Sequence, residues 1–292
     1  MNMKKISGIA AGVALAFGLT APAQAAVELN AGNYKITFNA FDAGTVGYGN
    51  TPGLKCNGVV ACDAAVPDAT KAPNRIGSED TWGIFSVQSI TNLTTGTALF
   101  TAGPGNYLTG IFGGLTDALV GVSSDPFLGT TTTSIGSTGG FLNMYYNTVD
   151  YNASQGPAAR LGLMGYNGIT NTGGALALSA NFGVSPIAGD NDYTYFSNYN
   201  NQTLSGNSQG FLDVVAGDLA DEFNTNGQFD LNGNAHDLFL KATFGRTLAA
   251  QYGWTVDATG DVQGAVPEPG SLALLGLGFA GLAGLRRRKA AK

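Results

Sequence analysis

Histidine occurs once, cysteine twice, and charged residues make up only 12% of this 292-residue chain, about half the usual globular share of ~25%. Each scarcity excludes something. Two cysteines and one histidine do not readily supply the four ligands of a structural zinc site. A Ser-His-Asp enzyme would have to use His236, yet no Gly-x-Ser-x-Gly elbow accompanies it, so His236 reads as a turn histidine on the approach to a strand. Basic residues are also thin. Seven of the fourteen sit at the termini, leaving the body with seven against nineteen acids, a net of −12. That balance excludes nucleic acid as a partner, because phosphate binding needs clustered Lys and Arg, and it equally disfavours an anionic membrane surface.

What is abundant is glycine, at 44 residues about twice the ordinary ~7%. Glycine is costly inside helices, so the body is expected to be all-β, a sandwich or jelly roll with Gly/Asn-rich turns. Tyr34, Ile36, Phe38 and Ala40 alternate with Lys35, Thr37 and Asn39, as on a strand with one buried face. Trp82 to Val87 is more continuously apolar, which suits a strand buried on both faces, and Leu238 to Phe244 reads as a third. Turn signals punctuate the rest at Asn57-Gly58, Gly103-Pro104-Gly105, Gly139-Gly140, Asn167-Gly168, Gly173-Gly174, Asn226-Gly227 and Asn232-Gly233. Thr130 to Ser134 reads as a solvated low-complexity loop, and Phe211 to Phe223 as a stretch able to form a helical turn or two, weakened by Gly217.

Three features carry candidate chemistry. Cys56 and Cys62 enclose a small turn-bearing loop, which in an exported protein implies a local disulfide. Asp221, Asn224, Asn226 and Asp230 concentrate oxygen ligands around a tight turn; the spacing fails the EF-hand pattern, leaving a non-EF-hand calcium site beside the plainer reading of a solvated acidic loop. Otherwise no metal or cofactor is implied. Tyr145, Tyr146, Tyr151, Tyr193, Tyr195, Phe196 and Tyr199 lie among Asn, Ser, Thr and Gln; exposed, they would stack on sugar rings, and otherwise they are core faces of strands.

The ends are the most legible parts. Lys4 and Lys5 precede an apolar run and then Ala23-Gln24-Ala25, the pattern of a signal peptide over residues 1–25 that signal peptidase removes before Ala26. At the other end Val266-Pro267-Glu268-Pro269-Gly270 leads into the apolar run Ser271 to Leu285, closed by Arg286, Arg287, Arg288 and Lys289. Prolines keep the approach extended. Fifteen apolar residues rise ~22 Å as a short transmembrane helix, and the basic cluster holds its end on the cytoplasmic side.

This tail resembles the PEP-CTERM sorting signal of Gram-negative bacteria. The resemblance covers residues 266–292 and implies recognition by an exosortase that cuts at or near Pro267-Glu268-Pro269, together with an association with exopolysaccharide, biofilm or floc formation. The expected organisation is then a signal peptide, an extracellular β-domain over 26–255, a spacer over 256–265 and the sorting tail. The expected route runs through an inner-membrane intermediate to the cell surface or extracellular space. Two functions follow from different classes: a non-enzymatic surface or matrix protein associated with exopolysaccharide, and a secreted polysaccharide hydrolase using paired carboxylates.

Overall fold

The structure is a computed structural model that describes residues 32–48, 69–125, 127–184, 186 and 191–266. The signal segment, the Cys56–Cys62 loop and the tail beyond Val266 lie outside the described residues. Among the described residues twelve strands follow in order: β1 (Gly32–Gly44), β2 (Thr81–Asn92), β3 (Ala98–Thr101), β4 (Tyr107–Asp125), β5 (Thr130–Asn147), β6 (Leu176–Gly183), β7 (Tyr195–Asn200), β8 (Gly206–Ala216), β9 (Gln228–Phe229), β10 (Ala235–His236), β11 (Leu238–Gly245) and β12 (Val256–Val266). Two single-turn helices, α1 (Ala220–Phe223) and α2 (Ala249–Tyr252), interrupt the series after β8 and β11. The all-β expectation with Gly/Asn turns is what the chain forms.

The sheet is antiparallel and runs β1-β12-β11-β8-β6-β5-β4-β2, with β3 added at the side of β2. It then closes, because β2 also pairs with β1 from Tyr34↔Asn92 to Gly44↔Thr81. The two facing layers of a sandwich are thus joined along both edges into a barrel, so that β1 and β2 are not left as open edges. One stave is divided in two. Between β5 and β8, β7 fills the stretch from Thr132 to Ser137 and β6 the stretch from Phe141 to Tyr145.

Alternation on β1 fills the interior. Tyr34, Ile36, Phe38 and Ala40 point in and meet Phe85, Val87, Leu142, Phe182, Leu240 and Val262 from other staves, while Lys35 is half-buried and Asn39 exposed. Hydrophobicity therefore runs inward, the reverse of a membrane-spanning barrel, whose apolar band faces lipid. A second core lies on the outer wall. There Trp82, Ile84 and Ile111 are covered by Tyr166, Ile169 and Trp254, with Trp82 and Trp254 ring centroids 5.2 Å apart. Burying each such large side chain contributes roughly 1.5–3 kcal/mol. Strand β2, apolar on both faces, serves both cores as its continuous pattern predicts.

Four expectations are corrected. Residues 256–265, expected as a spacer, form β12, paired to β1 from Gly32↔Val266 to Asp42↔Val256 and to β11 on its other edge. Its glycines mark close approach rather than slack: a Cβ at Gly260 would lie 2.7 Å from the Phe38 ring, and one at Gly264 2.5 Å from Leu238. Thr130 to Ser134 opens β5, with Thr131 and Thr133 buried. Gly139-Gly140 is a kink inside β5 rather than a turn between strands; Gly140 has φ 101°, and a Cβ there would meet Leu115 at 2.6 Å. Phe211 to Ala216 is strand, and helix begins only at Ala220.

One ion pair ties the covering segment to the barrel wall. Arg160 and Glu79 are both buried, with side-chain exposures of 3% and 2%, and are joined in a two-pronged contact. Arg160 also donates to the carbonyls of Asn74 and Leu163 and lies 4.2 Å above the Trp82 ring. Glu79 accepts from the backbone N–H groups of Ile76 (2.6 Å) and Gly114 (2.9 Å). Removing one partner of such a pair leaves an uncompensated buried charge, so Arg160→Ala is expected to cost about 3–5 kcal/mol. Urea unfolding of wild type and variant measures this, and a loss below about 1 kcal/mol would contradict the role given to the pair.

Candidate functional site

A surface concavity of about 680 Å³ crosses the outside of β8, β11, β12 and β1. It follows from register. Ser208, Ala242, Gly260 and Phe38 are successive partners across these strands, and because their side chains point inward they leave a trough outside. Two polar rows flank it. Gln209, Lys241, Asp261 and Thr37 form one; Asn207, Thr243, Thr259 and Asn39 form the other. Asn39, Asn207, Lys241, Thr243 and Thr259 are exposed. Three interstrand steps of about 4.8 Å make the trough about 14 Å long, and its volume falls within the usual ligand-site range of ~300–1,000 Å³. Beyond the first row, Phe239 stacks on Phe211 at 4.7 Å, and Phe211 on His236 at 4.9 Å. Lys241 Nζ lies 5.0 Å above the Phe239 ring. Hydroxyl, amide and aromatic groups thus share one face. The sequence carried half of this signal, in the outward polar positions of β1 and β11; joining them required the strand order.

The residues singled out from sequence fare differently. None of the seven aromatics is exposed: Tyr146 and Tyr199 are buried and the other five half-buried. Tyr195 packs edge-on against Phe182 at 5.5 Å inside the barrel, and Tyr151 against Phe41 at 6.2 Å outside it, so the stacking platform is not made by them. His236 is more than a turn residue. It is buried, with Nδ1 2.8 Å from Asp213 and Nε2 3.6 Å from Asp230.

Three of the four candidate calcium ligands, Asn224, Asn226 and Asp230, serve the turns themselves. Asp230 accepts from the backbone of Asn232 and Asn234, both at 2.8 Å, and Asn224 donates to the Val214 carbonyl at 3.2 Å. The Asn226 N–H points to Asp237, whose carboxylate also receives the N–H groups of Thr225 and Val214. Asp221 is exposed on α1. Among the described residues no group of three or more His, Cys, Asp or Glu side chains is placed to hold a metal ion. Asp237, which anchors this turn to β8, carried no mark in the sequence beyond its place beside a strand.

Carboxylates do gather at the barrel end where β1 finishes. Asp80 Oδ2 accepts the Asp117 N–H at 2.9 Å, and its Oδ1 accepts from Thr45 (3.2 Å) and Arg75 (3.3 Å). Asp117 accepts from Ser137 at 2.8 Å and from the Tyr48 hydroxyl. Burial and the Asp117 charge push the Tyr48 hydroxyl far up, so it stays a donor. Asp42 stands apart, its Oδ1 buried and without a hydrogen-bond partner.

Residues 265–289 match the PEP-CTERM protein-sorting motif. No curated protein and no solved structure matches the chain. The PEP-CTERM motif marks the protein for export and surface sorting as an exosortase substrate. It also starts inside the fold: Ala265, its first residue, is paired with Asn33 on β1, so the motif follows the last barrel stave with no intervening linker.

Asp42 gives the barrel end a pH signature. Burial, with Asp117 nearby, pushes its carboxyl up to about 8, against about 3.9 for an unperturbed aspartate. Between those values the folded state holds a proton that the unfolded chain releases. This contribution to stability is therefore complete at the acid end and is lost as pH rises towards 8. Asp42→Asn, which cannot ionise, should remove that slope. Relative to the variant, wild type should lose urea resistance steadily between about pH 5 and about pH 8; parallel profiles would contradict the assignment.

Proposed function

We propose that this exosortase substrate is a non-enzymatic surface or matrix protein that associates with exopolysaccharide through the outer trough and thereby contributes to biofilm or floc formation. The observation that carries the reading is the pair of polar rows across β8, β11, β12 and β1. A neutral polysaccharide presents hydroxyl groups in series, and Asn, Thr and Gln side chains in series answer them with donors and acceptors. An acidic polymer would be opposed by the acidic body, whereas a neutral one is not. Support for binding over hydrolysis comes from the trough's charges. Asp261 is its one carboxylate, and glycoside hydrolysis ordinarily calls on two.

In this reading signal peptidase removes residues 1–25, and Cys56 and Cys62 close a surface loop. Residues 271–285 hold the chain in the inner membrane, with Arg286 to Lys289 cytoplasmic, until the exosortase acts near Pro267-Glu268-Pro269.

Two measurements test the proposal. Combined alanine substitution of Asn39, Asn207 and Lys241 removes exposed groups from both rows, and each lost hydrogen bond is worth roughly 0.5–1.5 kcal/mol. Retention on the cell's own exopolysaccharide should weaken about tenfold or more with the melting temperature unchanged. Undiminished retention, or turnover of the polymer by the wild-type protein, would overturn the reading. Mass spectrometry of the secreted protein should find Ala26 at its start, a Cys56–Cys62 bridge, and a C-terminus that keeps Val266 and lacks Arg286 to Lys289. An intact basic cluster in that material would defeat the processing scheme.

A further inference from the structure

The barrel interior is incompletely filled. One cavity, of about 60 Å³, is walled by Phe38, Phe85, Leu142, Phe182, Leu240 and Val262 among other apolar side chains. A second, of about 50 Å³, adjoins it towards the barrel end and is lined in part by Thr45, Thr81, Ser197 and Thr255. Asp42, Tyr195 and Phe244 line both. Two polar groups face the apolar cavity: Asp42, whose buried Oδ1 has no hydrogen-bond partner, and Ser208, whose hydroxyl lies beside that of Tyr195. A buried oxygen left without a partner is destabilising, so a barrel packed for stability alone would carry an apolar side chain in place of Asp42. Water is a poor match for the whole space. A buried water needs two to four polar partners, and at roughly 10–15 Å³ per water the first cavity would hold about four, against its few polar groups.

We infer that the interior is a binding site for a small neutral molecule, apolar over most of its surface, whose single hydroxyl or carbonyl group is held by Asp42 and Ser208. The aromatic and aliphatic wall takes the apolar body. The protonated Asp42 carboxyl donates to the ligand oxygen, and Ser208 donates to it or accepts from it. Neutrality follows from Asp117 and Asp80, which are buried at the same end and disfavour a further negative charge. The more polar second cavity gives passage past Asp42. This interior site lies on the opposite face of the barrel wall from the outer trough, with Phe38, Ser208 and Ala242 lining both.

The test titrates the secreted protein, labelled at its methyl groups, with 1-butanol and separately with butyrate at neutral pH. With 1-butanol the resonances of Leu142, Leu240 and Val262 should move and saturate, while those of exposed Val215 and Leu248 stay fixed; butyrate should move none of them. Ser208→Ala removes one polar partner without filling space and should weaken 1-butanol binding about threefold or more, and Asp42→Val about tenfold. A linear, unsaturable response, equal binding of butyrate, or unchanged affinity in Ser208→Ala would overturn the site. Should Asp42→Val not fold, Ser208→Ala decides alone.

Discussion

Everything described depends on β1 being hydrogen-bonded along both edges. Its partners are β2, the next strand in the chain, and β12, the last described one, with Gly32 opposite Val266. Without the second pairing β1 and β12 would be open edges and the inner apolar face would meet water. The closure is also the longest-range contact in the sheet. It cannot form until nearly the whole domain is available, which places the barrel among topologies that fold slowly for their size. The same pairing puts the start of the sorting motif on the barrel itself. Cutting just beyond Val266 would leave the closing stave whole, whereas cutting a few residues earlier would strip its end from β1.

What was legible in the sequence follows from how much a strand reveals without its neighbours. β1 was visible because Tyr, Ile and Phe at period two are enough to declare a buried face, and β2 because its run is continuously apolar, while β11 was read from its short apolar run. β12 was not, because its inward positions include Gly260 and Gly264, and those glycines make sense only once Phe38 and Leu238 are known to press against them. The threonines opening β5 and the Gly139-Gly140 kink failed for the same reason. Glycine in this chain marks turns at Gly103 and Gly105 and crowding at Gly140 and Gly260, and composition cannot separate the two. The aromatics were visible but misplaced: two polar-flanked tyrosines, Tyr195 and Tyr151, pack on opposite faces of the barrel wall.

Sparse charge proves to be charge placed inside. Glu79, Asp80, Asp117, Asp230 and Asp237 are all buried, so the surface is less acidic than the body's total suggests. They are held by backbone N–H groups, hydroxyls and two of the body's seven basic residues, Arg75 and Arg160. Such carboxylates define geometry: Glu79 fixes the covering segment, Asp80 and Asp117 the barrel end, Asp237 the turn after α1. Asp42 departs from this pattern, and the contrast gives it meaning. Its neighbours each have several donors, whereas its buried oxygen faces a cavity.

The trough and the tail are consequences of one strand. Thr259 and Asp261, one from each polar row, lie on β12, and Asp261 is five residues before Val266. β12 is the strand that closes the barrel, supplies the middle of the trough and leads directly into the sorting motif. The trough therefore exists only after closure.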